Sequence, residues 1–167
     1  MENYQDFTIK ASVKNPEELK ARLQQLGAEF IGVDDQIDHY FETDRGKLKW
    51  RQGTIENLIT HYERRPQQGL EHTTVYRYEV NPGSDAIAEL QQAHTLLGIV
   101  KKQRSIFWLA EVKIHLDKVG ESFFVELEAI DRGKRIKAEE LQARCRHVQK
   151  LLGVSEEEII PTGYLES

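Results

Sequence analysis

The segment Phe123-Phe124-Val125-Glu126-Leu127-Glu128 has two unlike faces when read with a period of two. Phe123, Val125 and Leu127 fall on one side and suit a core, while Glu126 and Glu128 fall side by side on the other. Two carboxylates spaced i, i+2 can share one hard cation through their oxygens, although so short a pair is also what an exposed strand edge shows. The constraint tightens because charged residues recur at this spacing on other strand-like segments. Lys49 with Arg51 and Lys102 with Arg104 are basic pairs, Arg64 and Lys113 are further basic positions, and Asp6, Asp38 and Asp117 are acidic ones. Any one such face would ordinarily be wet. Taken together, like charges at this spacing repel when left alone, and a multiply charged ligand carrying a cation would relieve both repulsions. If the strands close into a barrel, alternation turns these residues inward and leaves apolar faces outside for helices to cover.

The 167 residues are 39% hydrophobic and 31% charged, which suits one globular α+β domain over 1–167. No apolar run approaches the roughly 18 residues that a membrane span needs, so no membrane partner is expected. The N-terminus lacks the basic-then-apolar pattern of a secretory leader, and Cys145 stands alone, so a cytoplasmic location is expected. Net charge is −5, with acids crowding the helical segments and bases recurring in the strands. That balance is a poor match to a nucleic-acid duplex, yet a local pocket lined by such strands could hold a small polyanion. No glycine loop of the G-x-x-x-x-G-K-[ST] type is present, and the six histidines lack zinc-site spacing. His115 shares a strand face with Lys113 and Asp117; it is read either as a structural hydrogen-bonding group or as a ligand contact. Cys145 is read as core packing.

In chain order, residues 6–13 alternate as a strand. Asn15, Pro16 and Glu18 then predict a helix start, and Gly27 its stop. Asp34-Asp35-Gln36 is expected to break the next apolar stretch, with a strand resuming at Ile37–Phe41. Strands follow around Leu48–Arg51, Leu58–Arg64 and Thr73–Val80, with Arg65 to Gly69 expected as a mobile polar loop. A second helix is predicted from Ser84, with Ile87, Leu90, His94 and Leu97 on one stripe and Gly98 as its stop. Three hairpin-linked strands (Val100–Leu109, Glu111–Lys118, Glu121–Ile130) precede a long helix over Ala138–Leu152 that Gly153 ends. Ser155 opens a short helical turn, and Tyr164 and Leu165 are expected to tie down the tail. The sum is about eight strands.

In this order and at these separations the residues resemble the CYTH superfamily of triphosphate tunnel metalloenzymes, and within it the class IV adenylyl cyclase-like (CyaB-like) branch. The resemblance rests on Phe7-Thr8-Ile9-Lys10-Ala11, Asp38-His39-Tyr40-Phe41, Gly46-Lys47-Leu48-Lys49-Trp50-Arg51 and Tyr62-Glu63-Arg64. Further along it rests on Val100-Lys101-Lys102-Gln103-Arg104, His115-Leu116-Asp117-Lys118-Val119 and Phe124-Val125-Glu126-Leu127-Glu128. It implies an eight-stranded antiparallel β-barrel, a tunnel with a charged interior covered outside by helices, that binds a small triphosphate with Mg²⁺ or Mn²⁺. ATP, thiamine triphosphate and tripolyphosphate are the implied ligands, and hydrolysis and ATP cyclisation stay equally open; so does homodimerisation. By match, Lys10, Lys49, Arg51, Arg64, Lys102, Arg104 and Lys113 would cradle phosphates. Glu126, Glu128 and Asp6 would hold metal, and Asp117 and Lys10 would take part in catalysis, Asp117 by joining the metal ligands or orienting a water. The family's E-x-E-x-K motif is reduced here to Asp6-x-Thr8-x-Lys10. A neutral Thr8 in place of a carboxylate opens the alternative of a polyphosphate- or nucleotide-binding module with weakened catalysis. Glu71 likewise stands where relatives often carry a lysine.

Overall fold

The structure, a computed structural model, describes residues 2–67, 70–133 and 135–160, and the side chains of these except 2, 3, 63–67, 70–75 and 77–79. Its long strands are β1 (Glu2–Val13), β2 (Glu29–Phe41), β3 (Lys47–Gly53), β4 (Asn57–Gln67), β5 (Leu70–Glu79), β6 (Leu96–Leu109), β7 (Val112–Val119) and β8 (Ser122–Asp131). They follow one another in space as β5-β4-β3-β2-β6-β7-β8-β1, and β1 pairs back onto β5. Every neighbouring pair is antiparallel, so the ring of ladders closes into an eight-stranded barrel. A two-residue strand, β9 (Ile159–Ile160), adds to β1 on the outside of this count.

Alternation decides which side chains meet the lumen. Phe7, Ile9 and Ala11 of β1, Val112, Ile114 and Leu116 of β7, and Val125, Leu127 and Ala129 of β8 point outward and are buried. They are buried because helices α1 (Pro16–Gln25) and α3 (Ala138–Leu152) lie over them, contributing Leu19, Leu23, Leu141, Cys145, Val148 and Leu152. Asn15 caps α1 by accepting the Glu18 N–H at 3.1 Å, and Gly153 ends α3 at φ 72°, a left-handed position that favours glycine. A second cluster joins Phe41, Trp50, Ile59 and Val80 to Ile87 and Leu90 of α2 (Asp85–Ala93). Between these covered regions β2 and β6 leave Ile31, Val33, Leu97 and Ile99 exposed. No helix among the described residues is long and apolar enough to cross a membrane.

Three local expectations are corrected. Asp34-Asp35-Gln36 does not interrupt β2, because Asp34 and Gln36 are buried on the lumen side and the ladder to β6 runs through them. Leu97 and Gly98 do not extend α2. The helix ends at Ala93, and Leu96 and Gly98 pair instead with Phe41 and Tyr40 of β2. The stretch Arg65 to Gln67 is ladder rather than loop, paired with β5, while Gln68 and Gly69 lie outside the described residues, as do Tyr164 and Leu165. The first two corrections come from pairing of β2 with the distant β6 and the third from the β4–β5 hairpin, and in each case strand pairing overrides the local pattern.

Candidate functional site inside the barrel

The lumen-facing positions are Asp6, Thr8 and Lys10 on β1, Asp34, Gln36 and Asp38 on β2, and Lys49 and Arg51 on β3. Lys102 and Arg104 on β6 and His115 and Asp117 on β7 share that face, and all twelve are buried although polar. Lys113, Glu126 and Glu128 share it by alternation at lower burial. Of the expected site residues, Arg64 is placed only by register, opposite Thr73, because its side chain lies outside the described set.

The cations are held by carboxylates of the wall, in three groups. Asp38, with no exposed surface, is the hub of the first. Arg51 donates to it twice, Nε to Oδ1 at 2.9 Å and Nη2 to Oδ2 at 3.0 Å; Lys102 donates at 2.6 Å and Lys49 stands at 4.0 Å. Burial alone would raise the Asp38 pKa, but Arg51, Lys49 and Lys102 hold it well below the usual carboxylate range. The same crowding acts in reverse on the amines. Burial and then Arg51 push Lys49 well below an ordinary lysine, and burial with Arg104 and Arg51 brings Lys102 down to about 8.

In the second group Arg104 grips Asp117 through two 2.8 Å bonds and reaches Glu126 at 3.2 Å. In the third, Glu56 accepts from Lys113 at 2.8 Å, Arg51 at 3.1 Å and Gln36 at 3.2 Å. Burial would raise Glu56; Lys113 and Arg51 instead hold it far below a free carboxylate. Glu56 reaches the lumen because the turn after β3 is pinned from beneath. Asp34 accepts from Thr54 Oγ1 at 3.1 Å, Ile55 N at 2.8 Å and Glu56 N at 3.0 Å. A Cβ at Gly53 would meet Glu56 O at 2.5 Å and Asp34 Oδ1 at 2.7 Å, so this turn admits only glycine there.

Among the expected metal ligands, Asp6 and Glu128 lie on the neighbouring strands β1 and β8 and share the lumen face. Burial raises the Glu128 pKa, but the Asp6 side chain and the charge of Lys113 leave it below its usual value. Glu126 is engaged by Arg104. Among the described residues no group of three or more His, Cys, Asp or Glu side chains stands arranged around a metal position. Thr8 pairs in register with Glu128 of β8 on one side and Glu71 of β5 on the other. Lys10, only 1% exposed, lies opposite Glu126 with its ammonium 4.8 Å from the Phe124 ring centre.

Cys145 is buried behind β1 and β8, with its thiol donating toward Phe7 O, and burial pushes its pKa up to about 12. It is core, as expected. Sequence reasoning missed Glu56, Asp34 and Gln36. Glu56 did carry a signal: it precedes Leu58, Thr60 and Tyr62 at the same parity.

A profile of the CYTH domain matches residues 7–164. The chain belongs to the CYTH domain family. A Pyrococcus horikoshii protein of solved structure is 29% identical with a TM-score of 0.82, covering 95% of this chain and 96% of its own. A Vibrio parahaemolyticus protein assigned as an adenylate cyclase is 19% identical with a TM-score of 0.76, covering 95% and 94%. An adenylyl cyclase-like protein from Hippeastrum with a dominant triphosphatase activity is 14% identical with a TM-score of 0.58, covering 89% and 88%. These likenesses carry the tunnel fold across the whole CYTH domain. No curated protein matches the chain by sequence.

Proposed function

We propose that this CYTH protein is a divalent-metal-dependent enzyme acting on a small triphosphate, with hydrolysis the leading reaction and ATP cyclisation the runner-up. The carrying observation is the convergence of Lys10, Lys49, Arg51, Lys102, Arg104 and Lys113, from four strands, on one enclosed lumen. Arginine forks suit phosphate oxygens, and lysines add compact charge. Family membership supports the substrate class, and the dominant triphosphatase activity of the Hippeastrum relative supports hydrolysis first.

Phosphoryl transfer needs mainly positioning and charge neutralisation. In this reading the phosphates exchange with the wall carboxylates, taking Lys113 and Arg51 from Glu56 and sharing Lys102 and Lys49 with Asp38. Asp117 holds Arg104 through two 2.8 Å bonds, so in this reading it positions that donor. Asp6 and Glu128 offer oxygen ligands to a hard cation, and Glu126 would add another if Arg104 exchanged its 3.2 Å bond to Glu126 for a phosphate oxygen. A Mg²⁺ or Mn²⁺ ion bound there would offset charge on the phosphate oxygens. Lys10, across from Glu126, is placed to neutralise charge at the same end.

The test is a panel of tripolyphosphate, thiamine triphosphate and ATP with Mg²⁺ or Mn²⁺, scored for phosphate, pyrophosphate and cyclic nucleotide in wild type and Glu126→Gln. Metal-dependent turnover lost in the variant is the expected result. Equal, slow release from both proteins refutes the catalytic reading. The buried hydroxyl of Thr8 beside Glu128 favours one alternative, a module that binds triphosphate without turnover. Tight metal-independent binding in a calorimeter with no product from any substrate would establish it.

A further inference from the structure

His115 sits on the lumen side of β7 between Lys113 and Asp117, opposite Ile106 of β6 and Glu126 of β8. It is 5% exposed, and neither ring nitrogen has a hydrogen-bond partner among the described residues. Buried imidazoles are normally tied by at least one nitrogen, because a bare donor or acceptor forfeits the bonds water gave it. Its neighbours are tied: Lys113 to Glu56, Asp117 to Arg104. Among the described residues the structural partner that the sequence allowed for His115 is missing, which favours the ligand role.

The surroundings say what kind of ligand. The buried ring shares the lumen with the cations Arg104, Lys113, Arg51 and Lys102. In either protonation state an imidazole carries at least one N–H donor. Those four cations are among the groups assigned to the phosphates, and a polyphosphate among them offers only acceptor oxygens. We infer that His115 binds the substrate directly, its ring N–H donating to a phosphate oxygen held between Arg104 and Lys113. The inference rests on the phosphate reading of the lumen and adds a specific contact to it. The imidazole supplies a directed donor in a lumen already dense with cations. Its two rotatable bonds lose less freedom on binding than a lysine's four.

The experiment is calorimetric titration of tripolyphosphate into the full-length protein in EDTA, for wild type, His115→Leu and His115→Gln, with thermal melts of each. A lost hydrogen bond to a charged oxygen is expected to weaken the Leu variant by about tenfold or more. Its melting temperature should be at or above wild type, because a bare polar ring is replaced by an apolar side chain. The Gln variant, which keeps an N–H donor, should recover much of the affinity. In parallel, the imidazole ¹⁵N signals of wild-type His115 should move on adding tripolyphosphate, a readout independent of how the variants fold. Unchanged affinity in the Leu variant, or ¹⁵N signals that ignore a ligand that binds, overturns the inference. If wild type fails to bind tripolyphosphate at all, with or without metal, the phosphate reading itself has failed.

Discussion

Replacing Glu56 by glutamine should make this protein less stable and better at binding tripolyphosphate. The carboxylate accepts from Lys113 at 2.8 Å and Arg51 at 3.1 Å, two of the cations assigned to phosphate, so it stands where a ligand oxygen would. Glutamine keeps the shape and one acceptor oxygen but removes the charge. Arg51 retains its paired bonds to Asp38, so the loss falls mainly on Lys113. A hydrogen bond between charged groups contributes about 1.5–3 kcal/mol net. A loss of about 2 kcal/mol lowers the melting temperature by roughly 4–8 °C in a domain of this size. The bonds lost in folding are the ones a phosphate must break on entry. Their absence therefore returns a similar free energy to binding, a gain of roughly 5–30-fold in affinity. Calorimetry in EDTA at fixed ionic strength, paired with a thermal melt, measures both signs at once. If Glu56→Gln binds tripolyphosphate no more tightly than wild type, Glu56 does not compete for those cations and the exchange scheme is wrong.

Lys102, brought down to about 8 by burial and its cationic neighbours, loses its proton in the ligand-free protein as pH rises past that value. Tripolyphosphate affinity in EDTA should fall above about pH 8, and the step should vanish in Lys102→Met. Stability of the ligand-free protein moves the other way: the unfolded lysine keeps its proton up to about 10.5, so this group's contribution rises between about 8 and 10.5, measurable by urea unfolding across that range. Thr8→Glu restores the second motif carboxylate beside Glu128, so Mn²⁺ and Mg²⁺ should bind more tightly by calorimetry. The metal-free variant should melt lower, because like charges on paired positions repel, and saturating metal should restore it. Lower stability with unchanged metal affinity would place the metal elsewhere.

The barrel was legible because its strands invert the usual arrangement. Lys49 with Arg51 and Glu126 with Glu128 alternate with Trp50 and Leu127, and both apolar residues are covered by helices from outside. Period-two alternation therefore gave the faces, and repulsion between like charges gave the direction in which they turn. What alternation cannot give is partner choice. That Arg104 takes Asp117 rather than leaving it for a water follows from the β6–β7 register, which sets Arg104 directly opposite Asp117. The role of Asp34 is hidden for a similar reason. It holds a turn 20 residues away, and nothing near Asp34 in the chain hints at Gly53 or Thr54. Glu56 was overlooked because it lies in a turn, where alternation is ordinarily uninformative.

The wall carboxylates follow from the need to fold such a barrel at all. Several cations enclosed together in a low-dielectric lumen repel strongly, and an unpaired buried charge costs several kcal/mol. Asp38, Asp117 and Glu56 each offset part of this, and the directions of their contacts show which cations each one holds. A ligand must then do better than the wall. A singly charged phosphate gains little by replacing one carboxylate. In the proposed reading a triphosphate would span several cations at once, and a metal at Asp6 and Glu128 would satisfy carboxylates that hold none of these cations. Selectivity for long, highly charged polyphosphates over single anions would then arise from the competition itself, and not from the number of lysines and arginines. The groups that set it are the acidic ones.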